Sequence, residues 1–307
     1  MSTSFPMMQR ICLFVIGLLV ATPLSAQTKL AYKHRAGDVQ KFVMKQVVAT
    51  EMTVPGQPNP VESKTTQTMY LKITTDEVSA DGIAKQRQEF TRIVMVMTLP
   101  GPLNFEYDSS SAEQPKGQLA ESIIRSLKPL VNAEFKQTID AQGKILELLV
   151  PETVAESLKS SPGAAMLGEM STPEGLKKFY KQASVALPAN PVKVGSTWEQ
   201  SSDNAFPFGT MTTRRVYKYL GPEKDSNFEK VGVDVKVSIA RKEGAPAEIK
   251  LESNKGTGHI LLDNRTGKIH ENSVTQTMAM QVTAGGQTIN QKVFTEVTMR
   301  SDKGDEK

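Results

Sequence analysis

The sequence predicts a mainly β protein with minor α, built of long, twisted antiparallel strands in two related halves, with helices packed on a sheet face or end. Three observations predict it. Apolar residues alternate with polar ones over long runs. A turn signature occurs twice, as Asp140-Ala-Gln-Gly143-Lys144-Ile145 and as Asn264-Arg-Thr-Gly267-Lys268-Ile269. Helical periodicity is confined to two short stretches.

The first ten residues carry Arg10 and no acid, residues 11–20 are unbroken apolar, and Ser25-Ala26 precede Gln27. This reads as a secretory signal peptide over 1–26. The apolar run is shorter than the roughly 20 residues a membrane-spanning helix needs, and no second such run follows, so no transmembrane segment is expected once the signal is removed. Cys12 is the single cysteine; cleavage leaves a mature chain without thiols, which excludes disulfides, thiolate metal sites and cysteine nucleophiles.

Strands follow from period-two alternation. Met69, Leu71 and Ile73 share one face, as do Val231, Val233, Val235, Val237 and Ile239. Further strands are expected at 40–54, 83–98, 210–220, 248–253, 268–282 and 287–299. Such lengths exceed the usual five or six residues, and hairpin connections make the pairing antiparallel. In the repeated signature an Asx side chain can bond backbone ahead of it and the glycine can take positive φ, so both turns should close hairpins. Gly285-Gly286 should turn the last one.

Helix is expected at 117–127, where Leu119, Ile123 and Leu127 recur at i, i+4, i+8 before Pro129, and after Thr172, a capping residue followed by Pro173 and Glu174. In that second helix Leu176, Phe179 and Tyr180 form the apolar face.

The organisation is then a signal peptide (1–26), an N-terminal β-rich half (27–150), a helical connector (151–191), a C-terminal β-rich half (192–300) and a polar tail (301–307) expected to be disordered. Gly37-Asp38 precedes Gly143 by 106 residues, whereas Gly195-Ser196 precedes Gly267 by 72. The excess corresponds to an insertion over about 98–131.

The stretch Leu187-Pro-Ala-Asn-Pro-Val-Lys-Val-Gly195-Ser-Thr-Trp198-Glu, with Ala31-Tyr-Lys, Gly37-Asp38 and the two Gly-Lys-Ile hairpins, resembles an exported bacterial family of unknown function, domain of unknown function 6263. The resemblance implies an envelope location and β architecture. It supplies no catalytic residues.

Composition narrows function. Removing 1–26 takes away Arg10 and no acid, leaving 36 basic and 33 acidic residues, a net charge of +3. Basic residues cluster no further than pairs such as Arg214-Arg215, and no basic stripe with stacking aromatics marks a nucleic-acid groove. In a register with paired positions summing to 532, Leu262 lies opposite His270 and His259 opposite Ser273, which puts His259 and His270 on opposite faces; His34 lies far away in sequence. No metal ligands are therefore assigned. Asp263-Asn-Arg-Thr-Gly267 has Arg265 where a calcium loop needs oxygen, and Gly256-Thr-Gly258 lacks the dinucleotide fingerprint and reads as a bulge or loop. Glu248 and Glu252 share a strand face, an ordinary solvated arrangement. Trp198 is either a ligand-stacking residue or a core anchor. Met95, Met97, Met211, Met278, Met280 and Met299 stud the strands, where flexible thioethers suit either core filling or an adaptable apolar surface.

No catalytic residue, cofactor or metal is assigned. The expectation is a non-enzymatic exported protein, periplasmic or extracellular, binding a lipid, lipoprotein or other apolar ligand on a concave sheet surface. The alternatives are an interaction or structural module with a solid core, and an enzyme whose cleft forms only on folding. The export reading predicts that intact-mass analysis of protein recovered outside the cytoplasm gives a chain beginning at Gln27 that is inert to thiol reagents; a chain retaining Met1 and a reactive thiol contradicts it.

Overall fold

A computed structural model describes residues 27–101, 104–159, 169 and 172–302. The expected signal peptide at 1–26, the Ser-Ser-Pro-Gly turn at 160–163 and residues 303–307 lie outside the described residues. The strands are β1 (Val39–Thr53), β2 (Val61–Val78), β3 (Ala84–Thr98), β4 (Asn104–Asp108), β5 (Glu134–Ile139), β6 (Ile145–Leu149), β7 (Thr197–Phe206), β8 (Gly209–Pro222), β9 (Phe228–Arg241), β10 (Glu248–Asp263), β11 (Lys268–Ala284) and β12 (Gln287–Ser301). They form one 12-stranded sheet in the order β6-β5-β3-β2-β1-β12-β11-β10-β9-β8-β7, with β4 paired to β3 off this path. All named strand pairs are antiparallel.

The halves meet where β1 pairs with β12 from Phe42↔Ser301 to Thr53↔Asn290. Strand β2 begins well before Met69 because threonines and serines of 61–68, though polar, suit a pleated surface. The 98–131 segment leaves the meander: β4 pairs with residues 94–98 of β3, and β5 returns to pair with residues 84–89. Strand β12 runs to Ser301 and the Asp302 N–H donates to the Lys41 carbonyl, 2.8 Å, so backbone pairing holds the first two positions of the expected tail.

Backbone hydrogen bonds repeat at the two strand-start turns. The Gly37 N–H donates to the Thr75 carbonyl, Asp38 N–H to Arg35 and Thr75 N–H to Asp38; Gly195 donates to Tyr219, Ser196 to Lys193 and Tyr219 to Ser196. Both glycines have positive φ, 84° and 90°. At the hairpins, Asp140 accepts from Gln142 and Lys144 N–H, and Asp263 accepts from Arg265 and Thr266 N–H. The second turn therefore uses Asp263, not the expected Asn264. Its loop is one residue longer than the expected three, since Asp263 pairs with Lys268.

Helices are α1 (Gln118–Leu127), α2 (Glu152–Lys159) and α3 (Pro173–Ala183). Thr172 caps α3 through its hydroxyl, which accepts from the Gly175 N–H at 3.0 Å. Leu119, expected on the packed face of α1, is 52 % exposed; Ala120, Ile123, Ile124 and Leu127 meet the core. Phe179 of α3 is likewise turned outward while Leu176 and Tyr180 pack. Helix α2 was not anticipated as an element because Val154, Ala155 and Leu158 make too short a stripe to read.

Two cores lie on one face of the sheet. The first packs Leu30, Leu187 and Val192 over Tyr217, Val231, Val233, Ile260 and Leu262; the second packs β4 and the helices over Phe42, Leu71, Phe90, Ile93 and Phe135. Met299 packs against both. Helix α3 touches β6 and β7, the two edges of the sheet. Lys181 Nζ donates to the Leu146 carbonyl of β6, while the Gln182 carbonyl accepts from Gln200 of β7 and Arg215 of β8. One helix end thus holds both edges, which leaves the core-bearing face inside.

Residues 28–38 lie across both hairpin turns. Tyr32 N–H donates to the Ala141 carbonyl, Lys33 Nζ to the Arg265 carbonyl, and Lys268 Nζ sits 3.0 Å from Asp38 Oδ2. His34 joins a buried polar group: Gln86 Nε2 donates to His34 Nδ1 and to Thr75 Oγ1, Gln137 donates to Gln86 Oε1, and His34 Nε2–H donates to the Asp140 carbonyl. That pattern fixes the neutral Nε2–H tautomer. A Cβ at Gly143 would lie 2.5 Å from the Tyr32 ring, and one at Gly267 would lie 2.2 Å from the Lys33 nitrogen.

Two outcomes follow for stability. Gly56→Ala, at φ +84 with open space around it, should cost about 1 kcal/mol of backbone strain, whereas Gly267→Ala, at φ +67 and jammed against Lys33, should cost a further 1–3 kcal/mol or so. Urea denaturation compares the two, and equal losses contradict the contact. His34 has its pKa lowered below 6.5, first by desolvation, against the raising effects of Asp140 and Asp38. The unfolded chain then binds the proton more readily, so stability should fall as pH drops through about 6.5 toward the folded value. His34→Gln should flatten that decline in melting temperature; an unchanged slope places it elsewhere.

Candidate functional site

Register decides which side chains share a face. Met44 stands opposite Met69 and Met299, Met69 opposite Ile93, and Met95 and Met97 opposite Tyr107 and Phe105. Met52 faces Val61, Met278 faces Val293, Met280 faces Gln291 and Met211 faces Ile239. Alternation from these pairs puts every methionine of the described residues on the inner face with the two cores. Met95, Met97, Met211, Met278, Met280 and Met299, singled out by sequence, are all among them.

Charge divides the other way. Outside the bulge positions, no Lys, Arg, Asp or Glu among the described residues of β1, β2, β3, β10, β11 and β12 points inward. The outer face of the same strands carries Lys45, Lys64, Lys255, Lys292, Glu296 and Arg300, with Arg300 in register with Val43 and Glu271, Glu296 with Val47 and Thr275, and Lys292 with Glu51 and Ala279. Inward charge occurs on β8 and β9, where each group has a partner: Arg215 donates to the Gln182 carbonyl, Glu229 accepts from Tyr219 and Arg241 pairs with Glu248.

The cores fill the inner face near the hairpin turns 140–143 and 264–267. Beyond them, Val48, Met52, Val61, Met278, Met280 and Val293 belong to neither buried cluster and are half-buried by their strand neighbours. This is the candidate site: an uncharged sheet surface adjoining packed cores, on which these apolar residues are interspersed with Thr50, Ser63, Thr65, Thr295, Gln276 and Gln291. A groove of about 560 Å³ also exists near the β1–β2 and β11–β12 tips, lined mostly by outer-face residues including Glu51, Lys64, Lys292 and Phe294. Its Lys292–Glu51 ion pair makes it a poorer seat for an apolar molecule than the inner face.

Other residues weighed from sequence fall elsewhere. Trp198 packs against the first core, stacks on Tyr217 at 5.5 Å and donates from Nε1 to the Ala186 carbonyl at 2.8 Å, the geometry of a core anchor. His259 Nε2 lies 3.0 Å from Glu271 Oε1, and Arg300 Nε lies 2.7 Å from Oε2 of the same carboxylate. His259 does face Ser273, but a bulge shifts the expected pairing of Leu262 from His270 to Ile269. His270 stacks on Phe228 at 4.4 Å with Nδ1 2.9 Å from Ser301 Oγ. The described residues hold no group of three or more His, Cys, Asp or Glu that could bind a metal.

Gly256 and Gly258 are neither bulge nor loop. They lie within β10, where a Cβ at Gly258 would come 2.2 Å from the Ser273 carbonyl oxygen and one at Gly256 would come 2.8 Å from Val235 Cβ. The β10 bulge falls instead between Leu251 and Ser253, which takes Glu252 out of the ladder and breaks the alternation expected to join it with Glu248. Nothing in the sequence revealed that bulge.

No helix of the described residues is long and apolar enough to cross a membrane. No curated protein sequence matches the chain. Among solved structures the sheet is similar to one described as "Lipid-protein interactions in lipovitellin", with TM-score 0.48 and 11 % identity over 87 % of this chain and 25 % of that one; the chain thus spans a quarter of it. DynF from the dynemicin pathway of Micromonospora chersina gives TM-score 0.22 and 6 % identity over 92 % of each chain. The outer membrane protein OprG of Pseudomonas aeruginosa gives 0.17 and 10 % over 88 % of this chain and 98 % of its own. At these scores the likenesses assign no function. The family of unknown function DUF6263 matches residues 81–269, a span that holds both glycine hairpins and the Trp198 turn, and the chain belongs to that family.

Proposed function

We propose that this is an exported, non-enzymatic protein of the cell envelope, periplasmic or extracellular, which holds a lipid or other apolar ligand on the inner face of its sheet. One observation carries the reading: the central strands place their charged side chains on the outer face and their methionines and isoleucines on the inner, while valines such as Val43, Val47, Val94 and Val96 also stand outward. An apolar molecule laid there removes apolar surface from water, worth about 25 cal/mol per Å², and desolvates no ion. Thioethers adapt to irregular chains at little cost.

The outer face speaks against a membrane barrel. Such barrels present an apolar band outward, and a Lys or Arg at its midplane costs about 2–4 kcal/mol; here Lys45, Lys64, Lys292 and Arg300 stand outward along the central strands. The non-enzymatic part carries forward the sequence reading, in which no catalytic residue is assigned, and export rests on residues 1–26.

A solid-cored interaction module is the competing reading, favoured by the two clusters that fill part of the same face. Native mass spectrometry with solvent extraction of protein purified from its source separates them. The ligand reading expects an apolar molecule in the extract and a matching mass on the folded protein; repeatedly empty preparations, and no uptake from added lipid, favour the module.

A further inference from the structure

On the inner face, Gln46 and Gln67 stand opposite each other, flanked by Val297 and Met95. They lie one rung beyond the Met44, Met69 and Met299 rung that closes onto the cores, and one rung before Val48, Thr65 and Thr295, where the uncovered surface begins. Both are half-buried. Neighbouring Gln276 donates to Asn254, whose amide donates in turn to the Val237 carbonyl, but neither the Gln46 nor the Gln67 side chain has a hydrogen-bond partner among the described residues. Neither amide is among the buried side-chain atoms left without a partner, so water reaches both; together they offer four donor hydrogens and two acceptor oxygens to a molecule that displaces that water.

Resting on the ligand reading above, we infer that the site takes a long-chain lipid with an uncharged, hydrogen-bonding head group, such as a glyceryl ester, whose head seats on the Gln46–Gln67 pair. Its chain runs outward along the strands over Val48, Val293, Met278 and Met52. From the Gln46 rung to the Met52 rung is six residues, roughly 20 Å at about 3.3 Å per residue, a run on which Val48, Met52, Val61, Val293, Met278 and Met280 are interspersed with the uncharged Thr50, Ser63, Thr65, Thr295, Gln276 and Gln291. An ester or hydroxyl head is matched by amides, which donate and accept. A carboxylate or phosphate head gains no counter-charge from these strands and loses its hydration there, which is costly for an ion left unpaired. Met299 and Met44 below the pair stop the head from sinking further, which sets its depth.

The test compares three probes sharing one oleoyl chain on the full mature chain: 1-monooleoylglycerol, oleate, and oleoyl lysophosphatidylcholine, each read by native mass spectrometry and by fluorescent-probe displacement. Monooleoylglycerol should bind at least about tenfold more tightly than either charged probe. Gln46→Leu with Gln67→Leu should weaken monooleoylglycerol about tenfold, as expected for losing two ordinary hydrogen bonds, and bring the probes within about threefold of each other. Gln46→Ser and Gln67→Ser serve if the double variant fails to fold, and the wild-type ranking needs no variant. Oleate binding as well as or better than monooleoylglycerol, or a ranking untouched by the glutamine changes in folded protein, overturns the head-group assignment while leaving an apolar site. No binding of any probe overturns the ligand reading itself.

Discussion

The pairing of the first strand with the last makes this sheet a single object. Strands β1 and β12 hold one register from Phe42↔Ser301 to Thr53↔Asn290, and through them every inward residue of one half lies on the same side as every inward residue of the other. A slip of one residue in that ladder would turn an entire strand inside out. Met44, Val48 and Met52 would point to water, and Lys45, Ala49 and Glu51 would enter the apolar face. The segregation of charge from the methionines is thus a consequence of register, and the buried cores penalise any other.

Two features outside the ladder reinforce it. The N-terminal segment is wedged over the hairpin glycines of both halves, where Tyr32 meets Gly143 and Lys33 meets Gly267, so each corner must lack a Cβ for the segment to lie flat. The end of α3 bonds to β6 on one edge and to β7 and β8 at the other. Long twisted sheets carry exposed edges that invite pairing with other chains; here one helix end bridges the terminal strands β6 and β7. The packed cores occupy the part of that face nearest the segment and the helices. The remainder is uncharged, with methionine and valine set among threonine, serine and glutamine and no element packed over it, and this is the physical basis of the proposed ligand site.

Much of this was legible in the sequence. Period-two runs such as 231–239 gave strand identity directly because one face is buried and the other solvated. The repeated Gly-Lys-Ile turns gave hairpins because positive φ favours glycine. The Thr172-Pro173 cap marked its helix. What escaped detection depends on contacts remote in sequence. The bulges beside Glu252 and at His270 have no residue signature, so inferred faces failed there. Gly256 and Gly258 looked like punctuation, yet are small because Val235, Ser273 and Val274 crowd them from neighbouring strands. The methionines were visible as scattered thioethers, but their common face needed the register of the eight strands from β3 to β8 to emerge. The glutamine pair was invisible, since residues 46 and 67 become neighbours only through the β1–β2 ladder.

The central claim is that the uncharged inner face, beyond the cores, is where an apolar molecule sits. Methyl-labelled methionine NMR tests it most directly, because every methionine of the described residues faces that side. Titrating an apolar probe into the labelled mature chain should move the methyl signals of Met52, Met278 and Met280, on the uncovered surface, and leave Met211, on β8 three strands from β11, nearly unmoved. Saturable binding that leaves all of those methyls in place, with changes confined to the outer-face groove around Phe294, would contradict the account.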